Sequence, residues 1–170
     1  MKNTATKDYS LIIRNFTFGV EDSLVSTVGL LAGISVAGVP GNTVFLTGFV
    51  LIFVEAFSMA VGSLLSEQSV EEYQMKGQTN WAQPAVAATV MFFSYVLAGF
   101  IPLMPYALKI FTQPVVWSIG LTLLSLFMLG VLNSRLSKIK FWKSGLITLI
   151  MGGLAIGVGV VVGQIADKLK

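Results

Sequence analysis

The chain has 170 residues, 55% of them hydrophobic and 11% charged, with a mean hydropathy of +0.82, which excludes an ordinary soluble domain and indicates an integral membrane protein. Cysteine and histidine are both absent, so zinc fingers, haem and iron–sulfur ligation, disulfides and imidazole catalysis are removed together. The net charge of +3 reflects the basic side of a membrane protein better than a nucleic-acid-binding patch, and no nucleic-acid partner is expected.

Five apolar stretches follow in chain order, each approaching or exceeding the ~20 residues that cross a ~30 Å hydrocarbon core. The first runs from Phe16 to Val39. The residues ahead of it have no separate apolar core before a small-residue cleavage site, so no cleaved signal peptide is expected. After "GVPGN" the second spans Thr43 to Leu65, and with no breaker before Gly77 it extends to about Met75. "KGQTNWAQP" separates it from the third, Pro84 to Ile101, which the prolines of "PLMPYALKIFTQP" are expected to end. The fourth, Pro114 to Leu132, and the fifth, Ser144 to Ala166, flank the charged "NSRLSKIKFWK". Residues 1–170 thus read as one all-α domain of five transmembrane helices.

Lys2, Lys7, Arg14, Lys76, Arg135, Lys138, Lys140 and Lys143 fall on one side, and Lys109, Lys168 and Lys170 on the other. This bias predicts a cytoplasmic N-terminus and a C-terminus on the opposite side. Trp81, Trp117 and Trp142 fall at helix edges, where an indole ring can be buried with its N–H wet, although core aromatics would read the same. In the glycine-rich last stretch, Gly153 with Gly157 and Gly159 with Gly163 both have the spacing for close helix approach. The sequence does not say which pair packs, or whether its partner lies in this chain or in a second copy.

The acids within these stretches are the unusual feature. The uncharged run from Leu24 to Val39 is only about 24 Å long, so a full span must take in Glu21 and Asp22, just inside the cytoplasmic boundary. Short carboxylates facing lipid cost up to about 3 kcal/mol, so at least one should face protein or water. Glu55 and Met59 share a face of the second helix, with Met59 at about the depth of Asp22 and Glu55 one turn deeper. Asp22, Ser26, Gly29 and Gly33 form a small, polar stripe on the first helix.

Carboxylate oxygen with a thioether suits a first-row divalent ion better than Mg²⁺ or Ca²⁺. A carboxylate at this depth can also carry a proton when the metal is absent, so metal and proton would compete for one site. The plainer reading is that Glu55 hydrogen-bonds between helices and that Glu21 and Asp22 are interface residues. Glu67 and Glu71 share a face of the extension of the second helix, beside Glu72. They read equally as a metal-collecting antenna and as acids of a solvated helix end.

"FGVEDSLVSTVGLLAGIS", "GFVLIFVEAFSMAVGSLLSEQSVEEY" and "AGFIPLMPYAL" resemble the vacuolar iron transporter family. The resemblance covers nearly the whole chain and is strongest from Phe18 to Tyr73. It implies five-helix carriers that remove cytosolic Fe²⁺ and Mn²⁺ in exchange for protons, and a homodimer with the ion path between its two copies. It places the family's first-helix Asp on Asp22, here followed by Ser23, and its Ser-Met pair on Ser58 and Met59. Glu55 does not match the family's usual residue. Fewer than twenty residues join the second and third helices, so the cytoplasmic metal-binding domain of well-known members is missing; Glu67, Glu71 and Glu72 match only its beginning. Nodulin-like members also lack it.

The expected function is therefore a proton-coupled exporter of Fe²⁺ or Mn²⁺ in a prokaryotic cytoplasmic membrane or an organelle equivalent. No enzymatic activity and no resident cofactor are expected. The alternative is a non-transporting membrane sensor or scaffold that binds the ion without moving it.

Overall fold

The computed structural model describes residues 2–75, 80–108, 112–137 and 141–169. Its helices are α1 (Lys2–Val36), α2 (Gly41–Met75), α3 (Ala82–Leu108), α4 (Pro114–Ser137) and α5 (Phe141–Lys168). Each contains a stretch long and apolar enough to cross a bilayer. The expected all-α, five-helix membrane architecture is therefore the one observed. Lys76, Lys109, Lys138, Lys140 and Lys170, used above for orientation, lie outside the described residues.

Two boundaries differ in an instructive way. α1 begins at Lys2 rather than Phe16, because nothing in "KNTATKDYSLIIRN" breaks a helix and hydropathy marks only the part that spans. α3 continues to Leu108, through Pro102 and Pro105, instead of stopping at Ile101. Both prolines are buried against neighbouring helices, and the Ser118 hydroxyl of α4 donates to the Pro102 carbonyl at 2.7 Å. Prolines are tolerated inside a membrane helix that neighbouring helices pack against.

The α1–α2 turn shows why "GVPGN" reverses the chain. Gly38 takes a left-handed φ of 75°, a conformation that costs glycine nothing. Its N–H reaches the Ser35 carbonyl at 3.1 Å, and the Val39 N–H reaches that of Ile34 at 3.1 Å. This is the paired-bond ending that satisfies orphan carbonyls at a helix C-terminus.

α1 packs against all four other helices, whereas α2 packs against α1 and α3 only. Leu31, Val44, Ile52 and Leu103 join α1 to α2 and α3; Leu24, Ala98 and Leu126 join it to α3 and α4; Val28, Ala32 and Ile156 join it to α5. On the outer faces, Leu46, Val50, Val54 and Phe57 of α2 and Ile150, Leu154 and Val158 of α5 are exposed. Helices apolar outside as well as inside are what a lipid surround requires.

The structure also decides between the glycine pairs of α5. A Cβ at Gly159 would lie 2.2 Å from the Gly29 carbonyl oxygen, and one at Gly163 would lie 2.1 Å from that of Gly33. Gly153 and Gly157 meet nothing within 4 Å. Gly159 and Gly163 of α5 thus pack against α1, and the small-residue stripe below Asp22 serves that contact.

Candidate metal centre

The central position of α1 fixes what its acids can meet. Glu21 and Asp22 are both half-buried and line one open cavity of about 320 Å³ with Phe18, Val25 and Met151 of α5. Among the described residues neither has a basic partner within ion-pair distance, the ion pair formed being Arg14 with Glu67. Two adjacent carboxylates in a membrane span without a counter-charge form a site that favours a cation.

Glu55 sits one turn deeper and is bound differently. Ser26 Oγ of α1 donates to Glu55 Oε2 at 2.8 Å, and the Tyr95 hydroxyl of α3 donates to the same oxygen. The two hydroxyl oxygens are 2.6 Å apart. Three helices therefore meet on one carboxylate oxygen, one turn along α1 from Asp22. Tyr95 is fully buried, so its hydroxyl needs this partner. Tyr95→Phe removes one donor from a half-buried acceptor and is expected to lower stability by about 1 kcal/mol, read as a fall in thermal unfolding temperature in detergent.

The pairing of Ser26 with Glu55 and of Arg14 with Glu67 sets a register in which Asp22 and Met59 share a level. They nevertheless line different cavities. Met59 faces an opening of about 460 Å³ formed by α1, α2 and α3, together with Arg14, Asn15, Glu67 and Met91. Phe18 lines both cavities. Among the described residues no three acidic side chains converge as a ready metal cluster. Equal depth therefore does not amount to one preformed site within a single chain.

The three acids of the α2 extension have separate surroundings. Glu67 is buried and paired with Arg14. Glu71 is buried, and its Oε2 has no hydrogen-bond partner among the described residues. Glu72 is exposed and accepts a 2.9 Å hydrogen bond from Gln68 Nε2. Only Glu72 is a solvated surface acid.

Sequence reasoning missed Tyr95, Met91 and Met151, and counted Arg14 only as a topology charge. The phenol of Tyr95 in "MFFSYVLAGF" was the readable signal, since a hydroxyl in an apolar run must find an acceptor. No comparable signal separates Met91 or Met151 from packing.

Residues 13–80 and 68–164 match the VIT family. The chain is 30% identical to "Vacuolar iron transporter homolog 3" of Arabidopsis thaliana, over 86% of this chain and 78% of that protein. It is 31% identical to "Vacuolar iron transporter homolog 1" of the same plant over the same shares. "Vacuolar iron transporter 1" of Tulipa gesneriana is 24% identical, over 85% of this chain and 83% of that one.

Proposed function

The chain belongs to the VIT family, and from that premise we propose that it is a proton-coupled antiporter removing Fe²⁺ or Mn²⁺ from the cytosol along a path at a homodimer interface. It is an integral membrane protein; the basic-residue bias supports a cytosolic N-terminus, and the membrane in this proposal is a cytoplasmic one of prokaryotic type or an organelle equivalent. The observation that carries the reading is Asp22, a carboxylate with no ion-pair partner among the described residues, within the span of the helix that touches every other helix.

The mechanism follows from the ligand supply. Asp22 provides carboxylate oxygen for the metal and accepts a proton after the metal leaves, so that charge enters and leaves through one group. One chain offers too few donors for a dehydrated divalent ion. A second copy about a two-fold axis would double every ligand, pairing Asp22 with Asp22 and Met59 with Met59. The open side of the Asp22 cavity supports that arrangement. Glu55, held by two hydroxyls one turn away, is a second carboxylate on the same route.

The test is Mn²⁺ and Fe²⁺ uptake into proteoliposomes enclosing a pH dye. Metal entry with opposite proton movement is expected. Metal binding without flux, from folded dimers, would leave a sensor or scaffold in place of the transporter. Glu55→Gln keeps an oxygen that accepts from both hydroxyls, so it is expected to stay folded while uptake falls by about tenfold. Unchanged uptake would reduce Glu55 to a clamp between α1, α2 and α3.

A further inference from the structure

We propose that the cavity shared by Met59 and Met91 is an intake site for a soft divalent cation, in which the Arg14 guanidinium is the resident cation and is displaced from Glu67 when metal binds. The proposal takes a divalent transition metal as cargo from the transport reading, and the site itself, with its preference for the softer of such ions, from the following geometry.

The cavity, about 460 Å³, lies at the Arg14 end of the bundle, one level out from Glu55. Its walls bring together donor types that a soft-to-borderline cation accepts: the thioethers of Met59 on α2 and Met91 on α3, and the carboxylate of Glu67. Two methionines from different helices facing one open space differ from a methionine filling a core gap. Met91 is almost wholly buried, and its sulfur lies against the α1 backbone, where a Cβ at Gly19 would be 3.2 Å away. Met91 therefore lines the cavity with a side chain that is already held in place.

The charges are unequal. Glu67 and Glu71 are each only 8% exposed and lie one turn apart on the same face of α2. Among the described residues Arg14 pairs with Glu67, and Glu71 Oε2 is left without a hydrogen-bond partner. A buried carboxylate is stable only when paired. Arg14 meets that requirement for Glu67 with a single charge, and a divalent ion taking its place would meet it with two. The Arg14 side chain is 65% exposed whereas that of Glu67 is 10% exposed. The arginine thus reaches in from outside and can swing away at little cost, while the carboxylate stays. A tethered cation at the mouth would keep the carboxylate occupied until an ion binds more strongly than a guanidinium.

The test is equilibrium dialysis of the purified full chain in detergent with Cd²⁺ and Mn²⁺, in an Asp22→Asn background so that the cavity beside α5 does not contribute. Removing the internal competitor with Arg14→Gln should tighten Cd²⁺ binding by about tenfold, and Glu67→Gln should weaken it by a similar factor. Met91→Leu should weaken Cd²⁺ several-fold while leaving Mn²⁺ within about twofold, because sulfur is lost and oxygen is not. Unchanged or weaker Cd²⁺ binding in an Arg14→Gln protein with wild-type thermal unfolding would overturn the proposal, as would unchanged Cd²⁺ binding by Met91→Leu. Should Arg14→Gln not fold, Arg14→Lys serves instead: its single ammonium holds a carboxylate less well than the planar fork, so Cd²⁺ binding should tighten, and affinity equal to that of arginine would refute the displacement. Tighter Cd²⁺ binding by Arg14→Gln, with no metal flux through the otherwise wild-type protein in proteoliposomes, would sustain the site and remove the transport reading. Flux with unaltered Cd²⁺ affinity would do the reverse.

Discussion

Asp22→Asn is expected to abolish coupled metal and proton movement in proteoliposomes while leaving the protein folded. Asparagine matches aspartate in size, and among the described residues Asp22 has no ion-pair partner to lose, so the packing of α1 should survive. The variant keeps one weak oxygen ligand but loses the charge that compensates a dehydrated Mn²⁺ or Fe²⁺ and the site that takes up the returning proton. Loss of even an outer partner of a metal ligand weakens metal sites by about 10- to 100-fold, so loss of the charged ligand should reduce flux by about 100-fold or more. The measurement is initial Mn²⁺ entry together with the internal pH signal. Both should disappear together. Metal entry that persists without proton movement would make Asp22 the proton site alone, and unaltered signals in both would remove it from the path.

The depth of the acids was legible in the sequence because helix rise is fixed. Counting from the "GVPGN" turn puts Met59 opposite Asp22 and Glu55 one turn deeper, and the Ser26–Glu55 contact sets that register. The azimuth was not legible: which way each side chain faces depends on how five helices rotate against one another. Asp22 consequently opens toward Met151 of α5, whereas Met59 opens toward Met91 and Glu67. Pro102 and Pro105 were misread for another reason. The breaker rule is written for helices in water, and here α3 continues through both prolines because they pack against neighbouring helices, with Ser118 of α4 bonded to the Pro102 carbonyl. Glu67 and Glu71 read equally as an antenna and as solvated acids because hydropathy cannot show that α1 begins at Lys2 and accompanies the α2 extension. Asn15 and Arg14, on that early part of α1, are the residues that bond Ser63 and Glu67.

Gly159→Ala and Gly163→Ala should be the most destabilising methyl additions on α5. At both positions the new carbon would sit well inside van der Waals contact with an α1 carbonyl oxygen. Backbone cannot move aside as a side-chain tip can, so α5 must retreat from α1 along its length. Overpacking of this kind costs about 1–3 kcal/mol, and more where a whole helix must shift. Gly153→Ala and Gly157→Ala carry the same chemical change into open space, where better helix propensity favours alanine by about 1 kcal/mol. The two pairs should thus shift thermal unfolding in opposite directions, although their sequence spacing is identical. Because Gly29 and Gly33 continue the face of α1 that carries Asp22 and Ser26, a retreat of α5 would also widen the cavity between Asp22 and Met151. The Gly159 and Gly163 variants should therefore lose metal uptake beyond what their remaining folded fraction explains. Equal destabilisation by all four substitutions would instead show that the outer glycines of α5 are packed as well, against a second copy of the chain.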